Sequence, residues 1–275
     1  MTLRLRFPVP PCFGLLALMI TTPVTGAELE RARLAFQNSQ YAEAYELFSK
    51  GEAEGDTESA YLKARMIELG LSGNSASPQS AGAIYLRGAA QGHAPSMNRV
   101  GLMYFRGDLG IARNDRQALG YFERAARAGN ANALFNLSRF HLLGTGVTKN
   151  EAEALRLMRQ AADKDHVLAL NTLGAILAGR PDTRDRKQAR AYFLRSAALG
   201  NAVGLFQTGL YALHDGGTRE NLRLAHRYFN LASARGHPEA RRVLTEITAQ
   251  LSEEDRLIAQ SQARDFRAQD PKTGE

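Results

Sequence analysis

Six alanines fall in register along this chain: Ala44, Ala81, Ala118, Ala154, Ala189 and Ala225. Each stands eleven residues before one that closes a segment (Gly55, Gly92, Gly129, Asp165, Gly200 and Gly236), and these closing residues recur every 35 to 37 positions. Seven before each closing residue comes a large side chain: Phe48, Tyr85, Phe122, Met158, Phe193 or Phe229. Four after it comes a small one: Ser59, Ser96, Ala133, Ala169, Gly204 or Ala240. A period of this length marks stacked supersecondary units rather than one closed core. Asp115–Gly146 shows the pattern whole, with a helix carrying Ala118, Phe122, Ala125 and Ala126, a stop at Gly129-Asn130, and a second helix through Ala133, Leu137 and Ser138.

Each position has a physical reason. Alanine on one helix and a small residue on the next let two backbones approach where longer side chains would hold them apart. The large residue, one turn beyond the alanine, fills the space between neighbouring units. Gly92-His93, Gly129-Asn130, Gly200-Asn201 and Gly236-His237 suit a left-handed helix stop and a sharp reversal. Asp165 breaks that pattern, so the fourth turn is expected to be looser. Gly107–Asn114, Gly144–Asn150, Gly179–Arg184, His214–Thr218 and Leu71–Pro78 read as loops. No stretch sustains period-two alternation, so no sheet is expected. The fold class is therefore all-α: a right-handed α/α superhelical solenoid of about six helix-pair repeats over 28–251, whose units touch mainly their neighbours.

The ends differ from the middle. Arg4 and Arg6 precede an apolar run, Cys12–Ile20, and Thr25-Gly26-Ala27 offers small residues for cleavage before Glu28. That is the pattern of a secretory signal over 1–27, with a core too short for a permanent span. Val9-Pro10-Pro11 lacks the small residues that a lipid-modified Cys12 needs. At the other end, Pro238–Leu251 supplies the first helix of an incomplete seventh unit. Ser252 followed by Glu253, Glu254 and Asp255 reads as a helix cap with acids in the first turn. The helix after it, 252–268 with Leu257, Ile258 and Phe266, reads as a terminal cap whose outer face stays wet. A disordered tail is expected over 269–275.

The pattern resembles the Sel1-like repeat family, relatives of the tetratricopeptide repeat. The residues carrying the resemblance are Leu137, Ser138, His141, Gly144, Gly146 and Val147, then Ala154 and Ala161-Ala162, in the family's order of L-G-x-x-Y-x-x-G-x-G-V, Ala and Ala-Ala. Val100-Gly101, Tyr104 and Gly107 repeat it, as do Leu173-Gly174. The opening stretch Ala35–Gly55 is more similar to a tetratricopeptide unit with a short turn. His141, Leu177 and Ala212 replace the usual Tyr, and the loops at Gly179 and His214 lack the G-x-G-V form; tolerant loop positions drift.

Composition narrows the chemistry. The net charge of +7 falls to +5 once residues 1–27 are removed, with the charges interspersed. Nucleic acid is a poor fit without a concentrated basic footprint and stacking aromatics. The densest basic run, Arg184, Arg186, Lys187 and Arg190, reads as a solvated helix face, the second reading being contact with an acidic surface such as anionic lipid or polysaccharide. Glu28–Glu275 has no cysteine, which removes thiol nucleophiles and zinc-thiolate sites and fits a periplasm better than a disulfide-stapled exterior. It also sets the chain apart from cysteine-rich family members linked to antibiotic binding. His93, His166 and His237 share a turn position with Asn130 and Asn201, which points to turn capping. His141 reads as a packed histidine, and His226 sits on a helix beside Arg227. His214-Asp215 is the one pair worth checking for metal or acid–base work, and two ligands make no metal site. Neither G-x-S-x-G nor H-E-x-x-H is present. No catalytic residue, metal or cofactor is assigned.

The resemblance implies that the first helix of each unit lines a concave face. Six after each closing residue stand Tyr61, Asn98, Phe135, Asn171 and Phe206, and ten after stand Arg65 and Arg139 among apolar residues. A ladder of aromatics, amides and arginines suits an extended peptide, whose backbone the amides hold and whose side chains the rings cover; the alternative is that these residues face a narrow, self-filled inner wall. The expectation is a non-catalytic adaptor or regulator in the bacterial periplasm, not membrane-spanning once processed. The resemblance implies envelope partners such as a sensor kinase, a secretion or motor complex, or polysaccharide-assembly machinery. Direct binding of an envelope glycan or peptidoglycan is the second reading, and an envelope hydrolase the third.

Overall fold

The computed structural model describes residues 26–73 and 76–269, so the stretch before Gly26 and most of the tail lie outside the described residues. Gly26-Ala27, the expected cleavage point, are the first residues of a helix. Fourteen helices and no strands are found among the described residues. The chain divides into two compact units between Ser75 and Ala76.

The first unit holds α1 (Gly26–Gln37), α2 (Tyr41–Ala53) and α3 (Thr57–Glu68). Its core gathers Ala32, Ala35, Ala44, Phe48 and Met66. The three-residue link between α1 and α2 is the short turn expected there, with Ser39 in the left-handed region at φ 60°.

The second unit runs α4 (Pro78–Ala90), α5 (Ala94–Arg106), α6 (Asp115–Arg127), α7 (Ala131–Leu143), α8 (Glu151–Asp163), α9 (Val167–Ala178) and α10 (Thr183–Ala198). It continues through α11 (Ala202–His214), α12 (Arg219–Ala234), α13 (Ala240–Thr248) and α14 (Glu253–Arg264). Successive helices pack pairwise, and α14 folds back onto α12. The core is correspondingly a chain of neighbour contacts, as a repeat stack requires.

The register holds at atomic detail. All six closing residues adopt positive φ, Asp165 at 59° included. The looser fourth turn expected from Asp165 is not found. His166 N donates to Ala161 O at 3.1 Å, matching Asn130 N to Ala125 O at 3.0 Å and Asn201 N to Ser196 O at 3.1 Å. Arg195 compensates: its guanidinium donates to Asp165 Oδ1 at 2.6 Å and to Ala162 O at 2.7 Å, tying the strained residue and a terminal carbonyl to the next repeat. Arg124 reaches back to Ala89 O in the same way at 3.1 Å.

Close approach depends on a pair, of which one half stood out in the sequence. The small residue four after the turn faces one four before it. Gly88 packs on Ser96, where an added Cβ would come within 3.0 Å of the serine Cβ, and Gly204 packs on Ser196, at 2.6 Å. At the equivalent places stand Ala125 with Ala133, Ala161 with Ala169 and Ala232 with Ala240, all fully buried. Two alanines, or one glycine with one serine in either order, occupy about the same volume, which a close-packed interior demands.

The large residue of each repeat meets a second constraint. A Cβ on Gly101 would lie 2.7 Å from the Phe122 ring, on Gly174 2.7 Å from Phe193, and on Gly209 2.8 Å from Phe229. The ring of one repeat thus lies flush on the backbone of the preceding one. In the remaining repeat of this series Ser138 replaces the glycine and Met158, an adaptable side chain, replaces the ring.

The loops explain why the family tyrosine is replaceable here. Asn114 N donates to Tyr104 O at 2.7 Å, and Asn150 N to His141 O at 2.8 Å, so the anchor is a backbone carbonyl. Asn114 and Asn150 then cap α6 and α8 through their side chains. At the C-terminus Ser252 caps α14 as expected. The cap's buried face differs from expectation, however: Asp255, Ala259 and Ala263 point inward while Leu257 is 58% exposed. Arg219 holds Asp255 at 2.6 Å and Glu254 at 3.0 Å, which latches α14 to the start of α12. Hydrogen bonds from Arg219 and Ser252 keep the Asp255 carboxyl below the usual carboxylate range.

Candidate functional site

A concavity of about 240 Å³ opens over α5, α7 and the start of α9. It forms because these first helices of successive repeats stand side by side with the second helices behind them. Asn98, Phe135 and Arg139, three of the seven ladder residues, meet there. Tyr61 and Arg65 lie on α3 in the first unit. Asn171 and Phe206 sit further along, where they join repeats to one another.

That joining follows a rule. At three successive seams the residue six after one turn pairs with the residue one after the next. Phe206 stacks on His237 with centroids 4.0 Å apart and planes 12° off parallel. Phe135 meets His166 at 4.9 Å. Asn171 Nδ2 donates to Asn201 Oδ1 at 2.9 Å. Ring meets ring and amide meets amide. Phe135 and Phe206 are 8% and 5% exposed, so most of their surface is spent on this seam and the ladder is not one open strip.

His166 illustrates what the turn position requires. Its Nδ1 accepts from Ala169 N at 3.2 Å, capping α9, and its Nε2 lies 3.0 Å from Asn132 Oδ1. Accepting at Nδ1 needs the neutral ring and fixes its hydrogen on Nε2, which donates to Asn132 Oδ1. Burial pushes its pKa down to about 4, in agreement. Capping holds for His166; His93 instead bonds Ser96 Oγ at 2.9 Å, and His237 is spent on stacking. His226 is buried in α12, and burial followed by nearby Arg256 lowers its pKa. At the His214-Asp215 pair, Arg190 engages the Asp215 carboxylate at 2.5 Å. No group of three or more His, Cys, Asp or Glu suited to a metal occurs among the described residues.

Around the concavity Asn136 Nδ2 donates to Asn98 Oδ1 at 2.9 Å. Phe105 and Phe122 pack on Phe140 at 5.3 and 5.2 Å to form the floor. Leu143 and Leu168 stand at the rim, 66% and 57% exposed. Arg106 and Arg139 are exposed on its wall. Sequence reasoning missed Asn136, Arg106 and His166 as parts of this surface. Extending the same register count to seven and fourteen after each turn would have found the first two.

Comparison with known proteins agrees with this geometry. The yeast Saccharomyces cerevisiae protein "Chitin synthase regulator SKT5" is 28% identical over 181 residues, covering 62% of this chain and 26% of that one. The "Exopolysaccharide production negative regulator" of Rhizobium meliloti is 28% identical over 158 residues, covering 52% and 59%. This chain thus spans less than two thirds of either. Among solved structures, a Sel1 repeat protein from Oxalobacter formigenes superposes with TM-score 0.68 at 20% identity, over 87% of this chain and 100% of that one. The protective antigen c5321 of uropathogenic Escherichia coli does so with TM-score 0.66 at 23% identity, over 87% and 53%. These structures share the fold, a stack of helical repeats. The Sel1 repeat model matches residues 94–130, 131–166, 168–201 and 202–237, more than half of the sequence, and the chain belongs to the Sel1 repeat family.

Proposed function

We propose that this chain is an exported, non-catalytic adaptor or regulator of the bacterial envelope that binds a protein partner in the concavity over α5, α7 and α9. The observation that carries the reading is that surface itself: two exposed arginines and an amide pair above a ring-built floor, with exposed leucines at its rim. Apolar area ringed by polar groups is the composition of a recognition patch. The repeat family supplies protein-interaction modules, and the two relatives named above are regulators, both tied by name to polysaccharide synthesis. A component of an envelope polysaccharide-assembly, sensor or secretion complex is therefore the partner class favoured. Export rests on the basic, apolar and small-residue succession of 1–27.

A photo-crosslinking amino acid at Leu143, with a control at exposed Leu257 on α14, tests the reading in cells. A protease-sensitive adduct from Leu143 alone is the expected result. An adduct that resists protease and yields to glycan digestion would favour direct glycan binding instead. Intact mass of the protein recovered from the periplasm should begin at Glu28; a product retaining Cys12 would refute the processing.

A further inference from the structure

We infer that the segment held in this concavity is acidic: an extended stretch of a partner protein carrying an Asp, Glu or C-terminal carboxylate beside an aliphatic residue. The inference rests on the concavity being the docking face and adds what it recognises.

Charge comes first. Arg106 and Arg139 are exposed on the wall, make no ion pair among the described residues, and no acid lines the concavity with them. Exposed arginines such as Arg116, Arg127 and Arg159 also lack a carboxylate partner, so what sets Arg106 and Arg139 apart is their shared place beside a recess without acids. Two cations left open beside a recess concentrate positive potential there and favour an anionic occupant. A guanidinium also offers forked donors that match a carboxylate.

The amides come second. The bond between Asn136 Nδ2 and Asn98 Oδ1 leaves one amide NH2 and one amide oxygen of the pair unspent. An adjacent donor and acceptor complement a peptide group of an extended chain. Exchanging oxygen and nitrogen in both amides reverses which residue donates and leaves the set unchanged.

The floor decides between peptide and acidic glycan. Sugars need open flat ring faces. Here Phe105 and Phe122 abut Phe140 at 57° and 75°, and His166 lies over Phe135. What remains for an occupant is ring edges and the aliphatic Leu143 and Leu168 at the rim, which suit a leucine-like side chain.

The test begins with a random twelve-residue peptide display library panned on the purified protein. Enriched sequences are then made as fluorescein-labelled peptides and measured by anisotropy. Enriched sequences should pair an acid with Leu, Ile or Val. Replacing their acids by amides, or Arg106→Gln/Arg139→Gln in the protein, should each weaken binding about tenfold or more, with an unchanged urea midpoint. Affinities indifferent to both changes would overturn the inference. Leu143→Ser/Leu168→Ser separates the two levels. Loss in that variant with no loss in the arginine variant leaves the docking face standing and removes acid recognition. No loss in either removes both. Failure of any sequence to enrich, or labelled alginate binding through Arg106 and Arg139 where peptides do not, would overturn the peptide occupant.

Discussion

His166 caps α9, donates to Asn132 and lies against Phe135, and the capping needs an unprotonated imidazole. Acid should therefore loosen the fourth turn. The folded-state pKa is depressed to about 4 from an ordinary 6.5. Between those values the unfolded chain binds the proton and the folded one does not, so stability is complete above the unfolded pKa and falls as pH drops. The full difference is about 3 kcal/mol, of which about 2 is lost between pH 7 and pH 5. Independently, loss of a helix N-cap costs about 1 kcal/mol, so the two routes agree in scale.

His166→Asn isolates the term. Asparagine caps the equivalent helices at Asn130 and Asn201, so the variant keeps a cap and has no proton to take up. It lacks the ring contact and should be less stable at pH 7. The pH slope, not the level, is the readout. Urea unfolding at pH 5, 6 and 7 should show a wild-type slope steeper than the variant's by about 2 kcal/mol over the range. His226 and His237, both pushed down by burial, remain in both proteins and cancel. Parallel slopes would mean that His166 titrates normally and that its Nδ1 does not cap α9.

Gly101→Ala drives a methyl into the Phe122 ring and should cost about 1–3 kcal/mol; Phe122→Leu in the same chain should recover part of it, and strict additivity in urea melts would deny the contact. Phe206→Ala should cost about 3–5 kcal/mol in thermal unfolding because the ring is buried against His237 and Phe229; a near-normal melt would return Phe206 to an open binding face. Arg195→Met should destabilise the wild type more than it does Asp165→Gly, where glycine relieves a left-handed strain of about 1–2 kcal/mol and leaves no carboxylate to satisfy. Equal effects in a double-mutant cycle would show that the Arg195 to Asp165 bond does not hold that turn.

What the sequence showed plainly were constraints that act within one repeat. The alanine, the ring and the closing residue sit at fixed offsets because one helix turn sets their spacing, and any chain with that geometry must repeat them. Constraints between repeats are spelled in two places at once. Asn171 looks like any surface amide until Asn201 is known to lie 2.9 Å away, and Phe135 looks like a free aromatic until His166 covers it. Ser196 with Gly204 reads as two departures from alanine when taken singly and as one conserved volume when paired. Asp165 is the same lesson with charge: its left-handed backbone is paid for thirty residues later by Arg195. The candidate site divides along this line. Asn171 and Phe206 belong to the seam, because each has found a partner of its own kind. Arg106 and Arg139 take no part in the seam, and what separates them from other unpaired arginines such as Arg116 and Arg159 is that they stand together beside the concavity.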